Sequence, residues 1–443
     1  MSVSPASVPS TRFAVVGLGG RCDMYVRALL ENYHDRHALV AFCDVNPGRM
    51  AYYNTKYAAK LANGPLPCYA PADFERMIRE QRVQTVIVTT IDRTHHDYIV
   101  RAMDAGCDVL TEKPLTTDDG KCRQIHDAIR RTGRKLRVTF NYRYAPVNSL
   151  VKEVLASGAI GEVMSVHFEW TLDTNHGADY FRRWHRDVRN SGGLMVHKSS
   201  HHFDLVNWWL GSQPETVFGM GDLRFYGKAN GEARGDYRPY ARATGNPAAV
   251  GDPYAMDLNG SPYQKALYHD NEIHDGYQRD QNVFGDGISI QDDMSVMVRY
   301  RNRATMTYHL TAYSPWEGYR VMFNGSKGRV ELVFEENAFV KNAGDPRLEQ
   351  FGAAMPMQAE AQRHILVRPL WQKPYRIELP KDEGGHGGGD KRLLDDIFIG
   401  GVADPLGRAA DHMDGTYAIL TGVAANRSFA TGEAVRIADL FPG

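Results

Sequence analysis

The chain has 443 residues and a formal net charge of −1, enough for two or three domains around a sizeable core. Near-neutral charge excludes the basic footprint of a nucleic-acid binder or of a protein drawn to anionic membrane. No apolar run approaches the roughly 18 residues of a spanning helix, the first residues lack the apolar stretch of a secretory signal, and five cysteines without paired metal spacing suggest reduced thiols in a cytoplasmic protein.

Residues 13–16, FAVV, read as a buried strand, and Gly17-Leu18-Gly19-Gly20-Arg21-Cys22 follows it. A helix then begins, with apolar positions at Met24, Tyr25, Ala28 and Leu29. This is a GxGxx[G/A] turn with Cys22 in the third slot. The first glycine makes the turn, the second lets the backbone approach a pyrophosphate, and the helix N-terminus supplies N–H donors. A second strand, 38–43, ends at Asp44, 22 residues past Cys22. A carboxylate there accepts from ribose hydroxyls and repels a 2′-phosphate, so NAD is expected rather than NADP.

The alternation continues through a helix at 73–81, a strand at 85–90, a helix at 96–105 and a strand at 107–111. Such a rhythm predicts a doubly wound parallel sheet. Ligands bind at the carboxyl ends of its strands, where Thr89, Thr90, Asp92, His95, Glu112 and Lys113 fall. Pro114 pushes Lys113 into an extended conformation, aimed out of the sheet end.

After Gly192 and Gly193, one helix is expected to carry His197, Lys198, His201, His202 and Asp204. At a spacing of four, His197 and His201 share a face, with Phe203, Leu205, Val206 and Trp209 packing behind. Such a cluster suits proton transfer, and equally a buried helix with satisfied histidines. His197, His201, His202 and Asp204 are also metal-ligand types, but without an HExxH arrangement no metal is expected. Strands are expected at 163–171, 295–300, 304–311, 319–324 and 329–334, several alternating as in a sheet with one covered face. The stretch 223–285 has little periodicity and reads either as a substrate wall, with Tyr277 near its end, or as a surface excursion. GGHGGGD at 384–390 presents His386 and Asp390 before a helix at 391–399.

The motifs VVGLGGRC (15–22), CDVNP (43–47), AGCDVLTEKPLTTD (105–118), FNYRYAP (140–146), GAIGEV (158–163), WHRDVRNSGG (184–193) and FNGSKGRVEL (323–332) occur in one order. By them the chain resembles the Gfo/Idh/MocA oxidoreductases, named for glucose–fructose oxidoreductase and inositol dehydrogenase. The resemblance implies an α/β protein with a Rossmann doubly wound parallel sheet over 1–140. It further implies an α+β domain over 141–443, with a large open, mostly antiparallel sheet whose bare face pairs subunits of a homo-oligomer. It puts Lys113 of the EKP motif beside the nicotinamide and makes His201 the acid/base. His197 stands where the family usually has aspartate. Gly17, Gly19, Gly20, Arg21, Cys22, Asp44, Thr90, His95, Glu112 and Lys113 are expected around the cofactor. Tyr142, Arg143, Lys198, His202, Tyr277 and His386 are expected around a carbohydrate. The activity implied is NAD-dependent oxidation of a secondary hydroxyl of a sugar, glycoside or cyclitol. Two alternatives stay open: redox-neutral glycoside cleavage with retained NAD, for which GGHGGGD resembles an HGG-type motif of NAD-dependent glycosidases, and a non-enzymatic NAD or sugar sensor.

Overall fold

Because residues 13–16 are all apolar, the strand they form needs cover on both faces. In a computed structural model describing residues 11–340, 358–379, 388–401 and 403–442, they lie fully buried in β1 (Thr11–Val16), inside a seven-stranded sheet. β2 (His37–Cys43) and β3 (Cys68–Tyr69) lie to one side of β1. β4 (Thr85–Val88), β5 (Asp108–Thr111) and β6 (Leu136–Val138) lie to the other, and all six run parallel. The order 3-2-1-4-5-6 is that of the doubly wound nucleotide fold, and its connection reverses between β1 and β4. The strand expected to reach residue 90 stops at Val88. Beyond it the Thr89 N–H still donates to the Val16 carbonyl at 2.9 Å, and its hydroxyl donates to the Gly17 carbonyl at 2.6 Å.

The second sheet contains β7 (Val163–Asp173), β8 (Pro214–Asp222), β9 (Asp293–Tyr300), β10 (Thr305–Ser314), β11 (Glu317–Gly325), β12 (Gly328–Asn337), β13 (Arg363–Pro369) and β14 (Tyr375–Ile377). Together with β16 (Val435–Arg436) they pair in the order β14-β13-β12-β11-β7-β10-β9-β8-β16. Every pairing is antiparallel except β7 with β10. Along β9 buried and exposed residues alternate, the mark of one covered face. The cover comes from helices Ser200–Leu210 and His412–Thr431, which also pack on each other. The other face exposes Met220 and Met297. Among the described residues no helix is long and apolar enough to cross a membrane.

The two sheets are not built from two separate stretches of chain. β15 (Ala410–Asp411) returns to pair antiparallel with β6. Leu267 and Tyr268, from the long aperiodic stretch, and Leu394 and Phe398, from helix Gly389–Phe398, enter the core of the parallel sheet. Phe398 meets Phe13 edge-on with ring centroids 5.4 Å apart. The stretch 223–285 is therefore no free excursion. It holds short helices at Lys228–Arg234, Pro262–Leu267 and Glu272–Asp275, and it lies against the nucleotide fold.

One close approach sets the position of the histidine cluster. Inside helix His412–Thr431, a Cβ on Gly422 would stand 2.3 Å from the Met195 carbonyl oxygen. On propensity alone Gly422→Ala gains about 1 kcal/mol. We expect the opposite: a lower unfolding midpoint together with reduced turnover, because the helix Leu194–His197 must move away. Denaturant unfolding decides the sign.

Candidate functional site

The glycine turn lies where the parallel sheet opens. Gly17, at φ +88°, faces Thr90 so closely that a Cβ would stand 2.5 Å from the Thr90 nitrogen. The following turns, Gly20–Cys22 and Asp23–Arg27, are short, and Cys22 is fully buried. The Asp44 carboxylate accepts from the backbone N–H of Leu18 and, at 2.7 Å, from that of Asn46. It thus braces the turn from the β2 side, where burial raises its pKa. Arg21 donates through Nε to Glu112 at 2.6 Å and stands 3.7 Å from Asp390. Glu112 also accepts from Tyr25 at 2.8 Å and from the Lys113 backbone N–H. His95 bonds the carbonyls of Pro114 and Thr90 through its two ring nitrogens, at 2.8 and 3.1 Å. His95, 1% exposed, ties the β4 and β5 exits together. Thr90 presents its backbone to Gly17, while its hydroxyl accepts from Thr94.

A segment spanning 261–280 crosses this turn. The Gly20 N–H, one of the donors a pyrophosphate would use, donates to the Tyr268 hydroxyl at 2.8 Å. Asn46 Nδ2 donates to the Asn271 carbonyl, and Arg49 pairs with Asp275 at 2.9 Å. The Arg49 guanidinium lies 5.5 Å from the ring centroids of both Tyr268 and Tyr277. No sequence signal marked Tyr268, because a tyrosine in an aperiodic loop has no pattern to belong to.

Across the crevice the histidine segment breaks in two. Helix Leu194–His197 ends, and Ser200–Leu210 begins after a tight turn in which the His202 N–H donates to the Ser199 carbonyl. His197 and His201 therefore do not share one helical face, and the cluster fans out. His197 Nδ1 bonds Asp92 Oδ2 at 2.6 Å, and Lys113 Nζ donates to the His197 carbonyl at 3.3 Å. His201 stacks on Tyr142 with centroids 4.4 Å apart and meets Phe140 edge-on. His202 turns into the core, stacking on Trp170 at 4.0 Å with Nδ1 on the Tyr308 hydroxyl at 2.6 Å. It is fully buried there, among core rings, and its Nε2 has no hydrogen-bond partner among the described residues. Arg143 donates through Nη2 and Nε to the two oxygens of Asp204, at 2.5 and 2.8 Å, and Asp414 joins them at 3.0 Å. Arg143, expected on the substrate, is 2% exposed and donates to these carboxylates and, through Nη1, to the Gly407 carbonyl at 3.3 Å. The four ligand types considered for a metal thus turn to different partners.

Lys198, 4% exposed, lies 4.8 Å from the Trp170 ring centroid with Nζ 3.5 Å from the Tyr142 hydroxyl. Tyr277 stands at the edge of the crossing segment, and His386 lies outside the described residues. Sequence reasoning placed Asp92 only at a strand end and passed over His185. That ring stacks on Trp184 and meets His197 at 4.2 Å, edge to face.

Electrostatics set this cluster apart. Burial lowers Lys113 to about 8, partly opposed by Asp92 and reinforced by Lys198. Burial also pushes Asp92 up, while Lys113 and Arg183 pull it back. His197 is held well below the ordinary histidine value by burial first, then by the charge of Lys113. An ammonium near neutrality beside a neutral, carboxylate-anchored imidazole can hold an oxygen and accept its proton.

Comparison with known proteins agrees with this layout. The model of the Gfo/Idh/MocA oxidoreductase family's NAD-binding Rossmann fold matches residues 11–140, and that of its C-terminal alpha/beta domain matches residues 152–437. YteT of Bacillus subtilis (strain 168), named as an oxidoreductase, is 35% identical over 441 residues, covering 96% of this chain and 97% of its own. The inositol 2-dehydrogenase of Rubrobacter xylanophilus is 29% identical over 216 residues, 47% of this chain and 54% of its own. Among solved structures, the aldose-aldose oxidoreductase of Caulobacter crescentus complexed with glycerol superposes with a TM-score of 0.60 at 17% identity. The match covers 96% of this chain and 99% of that one, a likeness of fold.

The cradle at Gly17 yields a direct test. Gly17→Ala adds both a Cβ clash with Thr90 and a strained backbone. Dinucleotide affinity, followed by fluorescence titration, is expected to fall by more than about tenfold. Unchanged affinity would remove the turn from the dinucleotide site.

Proposed function

The chain belongs to the Gfo/Idh/MocA family and is an NAD(P)-dependent oxidoreductase, and we propose that it uses NAD to oxidise a secondary hydroxyl of a sugar, glycoside or cyclitol. The choice of NAD rests on Asp44 at the end of β2, which disfavours a 2′-phosphate, and on Arg49 being neutralised by Asp275. The substrate class rests on the inositol and aldose in the names of two relatives.

When bound, NAD supplies the hydride acceptor, and the chain's own groups manage the proton. Lys113 holds the reacting oxygen and stabilises the negative charge that develops on it. His197 accepts the proton. Asp92 takes up its Nδ1–H, which leaves the Nε2 lone pair for the substrate, and burial keeps the ring neutral as an acceptor must be. The observation that carries the reading is this Asp92–His197 bond beside Lys113, at the point where the parallel sheet opens. His201, the acid/base implied by the family resemblance, stacks on Tyr142 and orients the substrate ring from that side. The exposed face carrying Met220 and Met297 is the surface on which a second copy would pair.

A second reading, redox-neutral cleavage of a glycoside, is favoured by the closure of residues 261–280 over the glycine turn, which would retain NAD between turnovers. Stoichiometry separates the two. Sugars reducing added NAD mole for mole support net oxidation, whereas aryl glycosides cleaved without added cofactor or net NADH overturn it.

Lys113→Met is expected to lower turnover about 10²–10⁴-fold while NAD still binds; normal turnover would remove Lys113 from the mechanism. The pH profile should be bell-shaped. Activity needs the ammonium, so it falls as pH rises through about 8. It also needs neutral His197, so the acid limb lies below the usual histidine value of about 6.5. A rate still rising at pH 9 would contradict the assignment of Lys113.

A further inference from the structure

We propose that the arginine cluster beside His197 binds a carboxylate of the substrate, so that the preferred substrate is a sugar acid, a uronate or aldonate, rather than a neutral sugar. This deepens the carbohydrate-oxidising reading of the cleft and rests on it.

Three buried guanidiniums, Arg182, Arg183 and Arg279, converge on one carboxylate. Asp179 stands 3.4 Å from Arg182 Nη1, 2.8 Å from Arg183 Nη2 and 3.5 Å from Arg279 Nη2. Among the described residues no other acid lies within ion-pair distance of the three. Asp179 itself is held far below the usual carboxylate range by them, so it is already charged and offsets only one cation. Within ion-pair distance Asp179 matches only one of the three cations, and burying the others is costly unless a further anion joins them.

Hydrogen-bonding capacity is left over within the cluster. Arg183 spends Nε on the Asp179 carbonyl and Nη2 on its carboxylate, and among the described residues Nη1 meets no acceptor. The Arg182 Nε and His185 Nδ1 atoms are buried without a hydrogen-bond partner among the described residues. The Tyr277 side chain lies in the fields of Arg279 and Arg183. The cluster also borders the proton-transfer pair. The Arg183 guanidinium lies 5.6 Å from the Tyr180 ring, Tyr180 meets His197 edge-on at 5.5 Å, and His185 meets it at 4.2 Å. The Tyr180 ring thus touches both the cation and the base, which puts the cluster next to the proton-transfer pair. The planar fork of a guanidinium matches a planar carboxylate.

Two other anions have the same charge: a sugar phosphate, and the cofactor's own pyrophosphate, toward which Arg279 leans through its 4.9 Å contact with Tyr268. The test uses the NAD-loaded protein and compares kcat/KM for glucuronate and galacturonate with glucose, galactose and glucose 6-phosphate. Uronates should be preferred by about tenfold or more, the scale of one charge-assisted contact. Arg183→Gln should abolish that preference through KM, Arg183→Lys should restore part of it, and Tyr277→Phe should weaken it in a protein of normal thermal midpoint. NAD affinity should not change in any of them. Equal use of neutral sugars, or a variant that depresses acids and neutral sugars alike, overturns the proposal. Preference for glucose 6-phosphate reassigns the anion and also overturns it. So does weakened NAD binding in Arg183→Gln, which would give the cluster to the pyrophosphate. If no sugar reduces NAD, the oxidising reading fails by itself. Calorimetry then decides the acid site: glucuronate or galacturonate binding that Arg183→Gln removes upholds it, and absence of such binding overturns it.

Discussion

A single hydrogen bond, from His197 to Asp92, links the end of β4 to the helix that begins after Gly193. Both partners are nearly buried, and neither would be tolerated there alone, since an isolated charge or an unmatched polar group in a dry interior costs more than one contact returns. Lys113 and Arg183 moderate the carboxylate, and the carboxylate fixes the imidazole. Close backbone approaches hold this contact from both sides. Gly17 lets β1 meet Thr90, and Gly422 lets helix His412–Thr431 press on Met195, two residues before the histidine.

The same contact explains why the chain is interleaved rather than divided. A site between two sheets is stable only if the sheets cannot drift apart. Here the later chain returns to the first sheet three times: at Leu267 and Tyr268, at Leu394 and Phe398, and at β15. Burial of a side chain such as Phe398 contributes on the order of 2–3 kcal/mol to that union. The segment 261–280 does more than pack. Its Tyr268 meets the glycine turn and its Arg279 meets Asp179, so one short piece of chain touches both the glycine turn and the arginine cluster. Movement of the segment would be felt at both.

Several polar residues of the expected site are buried for a common reason. Arg143 with Asp204, and His202 with Tyr308 and Trp170, are polar groups carried into the core by elements that had to be buried there, and each meets a protein partner. His185, Asp92 and Arg183 are the converse. They sit in stretches with no regular period, and only their neighbours give them a chemical role.

The sequence by itself determined the local frame. The apolar strand, the glycine turn and the acidic end of β2 follow from bonding and sterics within short stretches, and so does the placement of Lys113 beyond β5. The main strands of the second sheet were legible wherever buried and exposed residues alternate. The short strands β14, β15 and β16 were not, because two or three residues carry no period. Tertiary structure alone decided which histidine meets a carboxylate, since the break after His197 turns two residues of one expected face toward different partners. It alone brought Tyr268 to Gly20 across 248 positions of chain. Periodicity records which face of an element is buried. It does not record what the buried face meets, because that choice depends on packing among elements far apart in the chain.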